Sequence, residues 1–229
     1  MPKKIHILPS LLAADLGALA ADITRVAASG ADALHLDMMD AHFVPNLSYG
    51  PNIVSLVRRV SPGLYRHVHL MMTRPDLYLE PFAAAGAQTL QLHVEADCDL
   101  HRELARTRAL GIRAALALNP ETPVERVYPY LGECDELLVM TVHPGCGGQK
   151  FIAACLPKIR AVRTRRPDLD IMVDGGVNAE TAVQAAAAGA NMLVAGSYLF
   201  KVPDLAAGVA DLRARCEAAF VGCHDGAPP

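Results

Sequence analysis

Eight short apolar runs, each followed by a longer segment of helical period, limit what this chain can become. The runs are IHILPS at 5–10, ADALHLDM at 31–38, YRHVHLMM at 65–72, TLQLHV at 89–94, IRAALAL at 112–118, ELLVMTV at 136–142, DIMVDGG at 170–176 and NMLVAGS at 191–197. They have strand length, whereas intervening stretches such as ADLGALAADITRVAASGA at 14–31 carry Ala, Leu and Arg at helical spacing. Several intervening segments close on glycine just before the next run: ASGAD at 28–32, AAGAQ at 84–88, ALGIR at 109–113 and AAGAN at 187–191. Glycine there is the left-handed residue that ends a helix. Eight units in 229 residues allow roughly 29 residues each, which fits a compact barrel and not a doubly wound sheet with a second domain. No linker-like stretch divides the sequence. The expectation is an α/β fold, a single (β/α)8 TIM-barrel domain over 1–229 with a parallel eight-stranded core, its tail at 221–229 frayed.

Composition removes several function classes. With 21 basic against 24 acidic side chains, five Phe, six Tyr and no Trp, there is little to neutralise a phosphate backbone or stack bases, so nucleic acid is not expected as a partner. The apolar runs are too short to span a bilayer, and the opening MPKKIHILPSLLAADL lacks an uninterrupted apolar stretch ending in a cleavage site. Six cysteines without a CxxC pair fit reduced thiols. A cytoplasmic protein away from membranes is expected.

In such a barrel the chemistry gathers where strands end and the βα loops begin, and the unusual residues fall there. Ser10 closes the first run, His35 and Asp37 the second, His69 the third, and Asp174 the seventh. His35, Asp37 and Met39 are spaced by two, as are His67, His69 and Met71, so each trio shares one strand face, the interior of a barrel. His35, Asp37, His69 and Asp174 can converge into a two-nitrogen, two-oxygen shell suited to Zn(II), Fe(II), Mn(II) or Co(II). The plainer alternative is a hydrogen-bonded polar pair at the rim. Gly145, Gly147 and Gly148 in HPGCGGQKF, Gly175 and Gly176 in DGGV, and Gly196 with Ser197 in AGS occupy the loops after runs six, seven and eight. Loops there cradle phosphate in this fold, which points to a small phosphorylated substrate over simple structural turns. His93 reads as a hydrogen-bonded strand-end residue and not a fifth ligand. His6, His101 and His224 read as surface or barrel-bottom residues, and Lys150 as a solvated helix start.

At these residues the chain resembles the ribulose-phosphate 3-epimerase family, from about Ile7 to Leu212. The matching segments are PSLLAADL at 9–16, HLDMMDAHFVPN at 35–46, VHLMMTRP at 68–75, LALNPETP at 116–123, VMTVHPGCGGQKF at 139–151, VDGGVNAET at 173–181 and ANMLVAGSYLF at 190–200. The resemblance implies one divalent metal ion per chain on His35, Asp37, His69 and Asp174, with Zn favoured and Fe, Mn or Co as alternatives. It makes Asp37 and Asp174 the acid–base pair and brings Ser10 and His69 to the substrate. It sets Met39, Met71 and Met140 around the reacting carbons, and Gly145, Cys146, Gly147, Gly148, Gly175, Gly176, Gly196 and Ser197 around the phosphate. The implied reaction inverts C3 of D-ribulose 5-phosphate to give D-xylulose 5-phosphate in the pentose phosphate pathway, carried out by a homo-oligomer.

That chemistry removes a proton from one face of a carbon next to a ketone, stabilises the enediolate, and returns a proton to the other face. It needs no nucleotide, and GxGxxG is absent. Three positions depart from the family: His67 replaces the usual Asp, Ala41 replaces Gly, and Cys146 replaces the Phe of the phosphate loop; His143 stands at a variable position. His67 is expected to hydrogen-bond a ligand or a neighbouring carboxylate without touching the ion, the alternative being a barrel-filling histidine. D-allulose 6-phosphate epimerisation and a non-catalytic sugar-phosphate binder are the rival functions.

Overall fold

The eight runs all form strands: β1 (His6–Pro9), β2 (Leu34–Met39), β3 (Arg66–Met71), β4 (Thr89–His93), β5 (Arg113–Leu118), β6 (Glu136–Met140), β7 (Asp170–Asp174) and β8 (Met192–Ala195). In the computed structural model, residues 3–220 are described, so the expected frayed tail with Cys223 and His224 lies outside the described residues. Every strand pairs in parallel with its neighbour in the order β1-β8-β7-β6-β5-β4-β3-β2. The ring closes between β1 and β2 through a parallel bridge from Ser10 to His35. The last barrel seam is therefore made by two residues of the candidate site.

Strand alternation divides each strand between two surroundings. Leu34, Leu36, Val68, Leu70, Leu90, Leu92, Leu137 and Val139 face outward into the large apolar layer under the helices. Leu8, Ala117, Leu138, Met172 and Val194 pack in the separate cluster that fills the barrel. Helices cover the outside: α1 (Leu19–Ala28), α2 (Pro51–Val60), α3 (Leu79–Ala85), α4 (Leu100–Ala109), α5 (Leu156–Arg165), α6 (Ala179–Ala187), the single turn α7 (Ser197–Phe200) and α8 (Leu205–Ala219). Gly30, Gly86, Gly111 and Gly189, which close the helical segments just before β2, β4, β5 and β8, all have positive φ, as a left-handed helix ending requires.

One crossover departs from the expected rhythm. Between β5 and β6 the chain forms only a 3₁₀ segment, Val124–Tyr130, preceded by Pro123 and holding Pro129 inside it. Proline removes an amide donor and crowds the preceding turn, so an α-helix does not propagate there.

The rim opposite the candidate site is tied by charge. Asp32, just before β2, accepts from Lys4 Nζ at 2.8 Å, from the Ile7 amide at 3.0 Å and from Arg213 Nη2 of α8 at 2.7 Å. Burial alone would raise its carboxyl, but His6, Lys4, the Ile7 amide and Arg213 outweigh that and hold it well below the usual carboxylate range. A depressed folded-state pKa gives stability that is present above the unfolded value and fades as pH falls towards the folded one. Asp32→Asn should therefore lower unfolding free energy at pH 7 by about 1–3 kcal/mol. Urea titrations should show the gap between wild type and variant narrowing below about pH 4; a gap that stays constant down to pH 3 would contradict the assignment.

Candidate active site

Two inward rows meet at the C-terminal ends of β2 and β3. The parallel register sets His35 beside His67, Asp37 beside His69 and Met39 beside Met71, so alternation aims all six side chains inward. Asp174 at the end of β7 completes the group, and one donor atom from each of His35, Asp37, His69 and Asp174 lies within 4.8 Å of the others. His35 Nε2 stands 3.3 Å from Asp37 Oδ1 and 3.6 Å from Asp174 Oδ2, and His69 Nδ1 stands 3.2 Å and 4.0 Å from the same two oxygens. Ser10 Oγ donates to Asp37 Oδ2 at 2.7 Å, fixing that carboxylate from β1.

This donor set suits a divalent cation for a reason internal to the chain. Both nitrogens of the fully buried His35 lack a hydrogen-bond partner, which is costly for a polar group unless an ion takes a lone pair. The two carboxyls also oppose each other. For Asp37, burial acts upward, but the His35 and His69 imidazoles overcome it and hold the carboxyl well below its ordinary range. Burial and the Asp37 charge together push Asp174 well above its own. Burial lowers the pKa of His35 and His69, favouring the neutral imidazoles that metals bind. The four residues can hold one divalent ion.

Two further histidines extend the polar interior. His67 Nε2 lies 2.7 Å from Glu136 Oε2, with Thr89 Oγ1 and Arg113 Nε on the other carboxylate oxygen at 3.4 and 3.2 Å. Its ring stacks on His35 with centroids 5.3 Å apart. The expected bond to a neighbouring carboxylate thus exists, although its partner, Glu136, did not emerge from the sequence. The signal was available: Leu138 and Met140 face inward, so the same alternation turns Glu136 inward. His93 is the expected hydrogen-bonded strand-end residue, meeting Glu95 Oε2 at 3.0 Å and His69 Nε2 at 2.8 Å.

Above the cluster opens a cleft of about 740 Å³, within the usual range for small-ligand sites. Ser10, Asp37 and Asp174 reach its floor, Met39, Met71 and Met140 form apolar walls, and Gly145, Cys146, Gly147, Gly148, Gly175, Gly176, Gly196 and Ser197 rim it. His35 and His69 do not line the cleft; they lie fully buried beneath it. Lys201 and Gln149, not singled out from sequence, also line it. The Gly175 amide donates to Thr141 Oγ1 at 3.0 Å, so in that loop Gly176 is the better placed to face an anion. The exposed Ala41 has a φ of 60°.

Inward carboxylates from two strands under a glycine-rimmed cleft define a (β/α)8-barrel enzyme of the proton-transferring, carbon-acid kind. Comparison with known proteins narrows that class. The chain matches the Ribulose-phosphate 3 epimerase family over residues 6–200, and it belongs to that family. It is 46% identical to the ribulose-phosphate 3-epimerase of Bacillus subtilis (strain 168), covering 91% of this chain and 98% of the relative. Identity to the enzyme of that name from Escherichia coli (strain K12) is 41%, over 88% and 92%. Among solved structures, KGPDC from Streptococcus mutans superposes with a TM-score of 0.72 at 11% identity, over 96% of this chain and 100% of that one, which bears on the fold alone.

Two opposite glycine effects follow. Left-handed backbone disfavours a side chain, so Ala41→Gly should stabilise the fold by about 0.5–1 kcal/mol in denaturant titrations; no gain would contradict the backbone assignment. A Cβ at Gly176, itself at φ +67°, would stand 2.5 Å from the Phe151 amide nitrogen. Gly176→Ala should lower stability by about 1–3 kcal/mol by forcing the two loops apart, and unchanged stability would show that they yield freely.

Proposed function

We infer that the protein interconverts D-ribulose 5-phosphate and D-xylulose 5-phosphate by inverting C3, the activity named for its relatives. The observation that carries the reading is two carboxyls at one cleft floor in opposed surroundings: the His35 and His69 imidazoles outweigh burial and pull Asp37 below its ordinary range, while burial and the Asp37 charge push Asp174 above its own. Environments that push two acids apart mark a base and an acid. Asp37, oriented by Ser10, takes the C3 proton of D-ribulose 5-phosphate, and Asp174 delivers one to the opposite face. His35, Asp37, His69 and Asp174 hold one divalent ion, with zinc favoured by the two imidazoles and two carboxylates. That ion supplies positive charge for the oxyanion character that develops as the proton leaves.

Met39, Met71 and Met140 screen the reacting carbons from water with polarisable, weakly solvating walls. The loops at Gly145–Gly148, Gly176 and Gly196–Ser197 hold the phosphate, whose binding energy is gained remote from the reacting carbon. The family assignment supports a homo-oligomer. Cytoplasmic residence is supported by the five free cysteines among the described residues and by a rice relative described as the cytoplasmic isoform. Among those residues no helix is long and apolar enough to cross a membrane. A single domain accounts for the whole described chain.

The two acids are separable in deuterated water. With metal content retained, Asp174→Asn should wash deuterium into recovered D-ribulose 5-phosphate while forming little D-xylulose 5-phosphate, because Asp37 still removes and returns a proton on its own face. A metal-replete variant that epimerises at the parental rate would remove Asp174 from the mechanism.

A further inference from the structure

The two buried imidazoles of the donor set are held in different ways. His35 has ring contacts with His67 and His69 but no hydrogen-bond partner on either nitrogen. His69 is engaged on both sides. Its Nδ1 faces the Asp37 carboxylate at 3.2 Å and its Nε2 meets His93 Nε2 at 2.8 Å. His93 Nδ1 in turn meets Glu95 Oε2 at 3.0 Å, while Glu95 Oε1 accepts from the Asn119 amide at 2.9 Å and from the Thr122 hydroxyl. The far end is anchored as well, because Lys158 Nζ of α5 donates to the carbonyls of Asn119, Pro120 and Thr122 at 3.1, 2.5 and 2.7 Å.

The proton order along this chain follows from which groups accept. Glu95 already takes two hydrogens from the loop after β5 and presents its other oxygen to His93, so the hydrogen of that contact belongs to His93 Nδ1. His93 Nε2 is then a bare lone pair, and a 2.8 Å contact with His69 Nε2 requires the hydrogen on His69. Fixed in that tautomer, His69 turns a bare Nδ1 towards Asp37 Oδ1, and two acceptors 3.2 Å apart are reconciled by a cation between them.

We propose that Glu95 and His93 are positioning residues that lock His69 in its Nε2–H tautomer and so make Nδ1 the metal-binding atom, a carboxylate–imidazole–imidazole relay that starts in the loop after β4, is anchored by the loop after β5 and ends at the cleft floor. The proposal rests on the reading of His35, Asp37, His69 and Asp174 as a metal site. It goes further in assigning which nitrogen binds and what compels it. His35 lacks any such relay, so the Glu95 side chain bears on one ligand and not on the other.

The test uses the full-length protein stripped of metal and titrated with Co(II) against a chromophoric chelator, and needs no turnover measurement. Wild type is expected to bind one equivalent. Glu95→Gln keeps the shape of the side chain but replaces one acceptor oxygen by a donor. It should raise the Co(II) dissociation constant by about 10–100-fold and alter the visible cobalt bands while the thermal midpoint stays near the parent's. Thr122→Val should weaken binding in the same direction, and Thr122→Ser should restore it, since only the hydroxyl is required. Nitrogen-15 spectra of the metal-free wild type should show His69 protonated on Nε2 and His93 on Nδ1. Parental affinity and bands in folded Glu95→Gln and Thr122→Val, or a His69 proton on Nδ1, would overturn the relay while leaving the metal site standing. A wild type that binds no Co(II) would overturn both.

Discussion

Two carboxylates buried side by side in a barrel that would otherwise close on aliphatic side chains form the constraint to which the rest of the site answers. Asp37 and Asp174 come from β2 and β7, on either side of β1 and β8 in the sheet order, so only closure of the ring brings them together. Once together they repel, and the surroundings are arranged around that repulsion. Ser10 donates to one of them, two imidazoles stand between them, and the acidities of the pair are driven apart, Asp37 downward and Asp174 upward. An added cation relieves the same repulsion, so an affinity for divalent metal and a difference in acidity have one physical origin.

The polar interior does not stop at those four residues. His67 comes with Glu136, Thr89 and Arg113. A buried histidine or a buried glutamate alone would leave more groups unsatisfied; as a pair, His67 Nε2 and the Glu136 carboxylate satisfy each other, and only His67 Nδ1 is left without a partner. His93 and Glu95 do the equivalent for His69 on the other side. The four rings of His67, His35, His69 and His93 run as a contiguous row, with successive centroids 5.3, 5.5 and 5.0 Å apart, which links the barrel interior to the floor of the cleft.

Stability and chemistry are divided between the two ends of the barrel. At the rim away from the cleft, Asp32 joins Lys4, Ile7 and Arg213, while Arg66 and Arg163 reach into the turns before β4 and β8 and donate to the Gly86 and Gly189 carbonyls. These contacts fix chain ends and helix terminations. At the cleft the loops carry positive-φ glycines and a close approach of Gly176 to Phe151, features that shape a cavity and contribute little to the core. This division lets the cleft hold unpaired or opposed polar groups without unfolding the barrel.

The sequence by itself determined the eight strands, the barrel, and the ends of the strands as the site of chemistry, because these rest on local periodicity: period two on strands, helical period between them, and glycine where a helix must stop. It also selected Asp37, since spacing by two with His35 and Met39 puts it on a known face, and Asp174, since it closes the seventh run. The sequence did not determine that the crossover between β5 and β6 forms no α-helix, although it contains Pro123 and Pro129, because proline competes with a helical pattern only when the whole turn is weighed. Glu136, Glu95 and the tautomer of His69 were decided by the tertiary structure alone. Each depends on a partner between two and 69 positions away whose distance is set by strand register and ring closure, and a hydrogen bond at 2.7 Å or 3.0 Å has no counterpart in a periodic pattern. His93 makes the contrast concrete: its place at a strand end was legible in the sequence, but the partners its two ring nitrogens meet were fixed only when β3, β4 and the loop after β5 met.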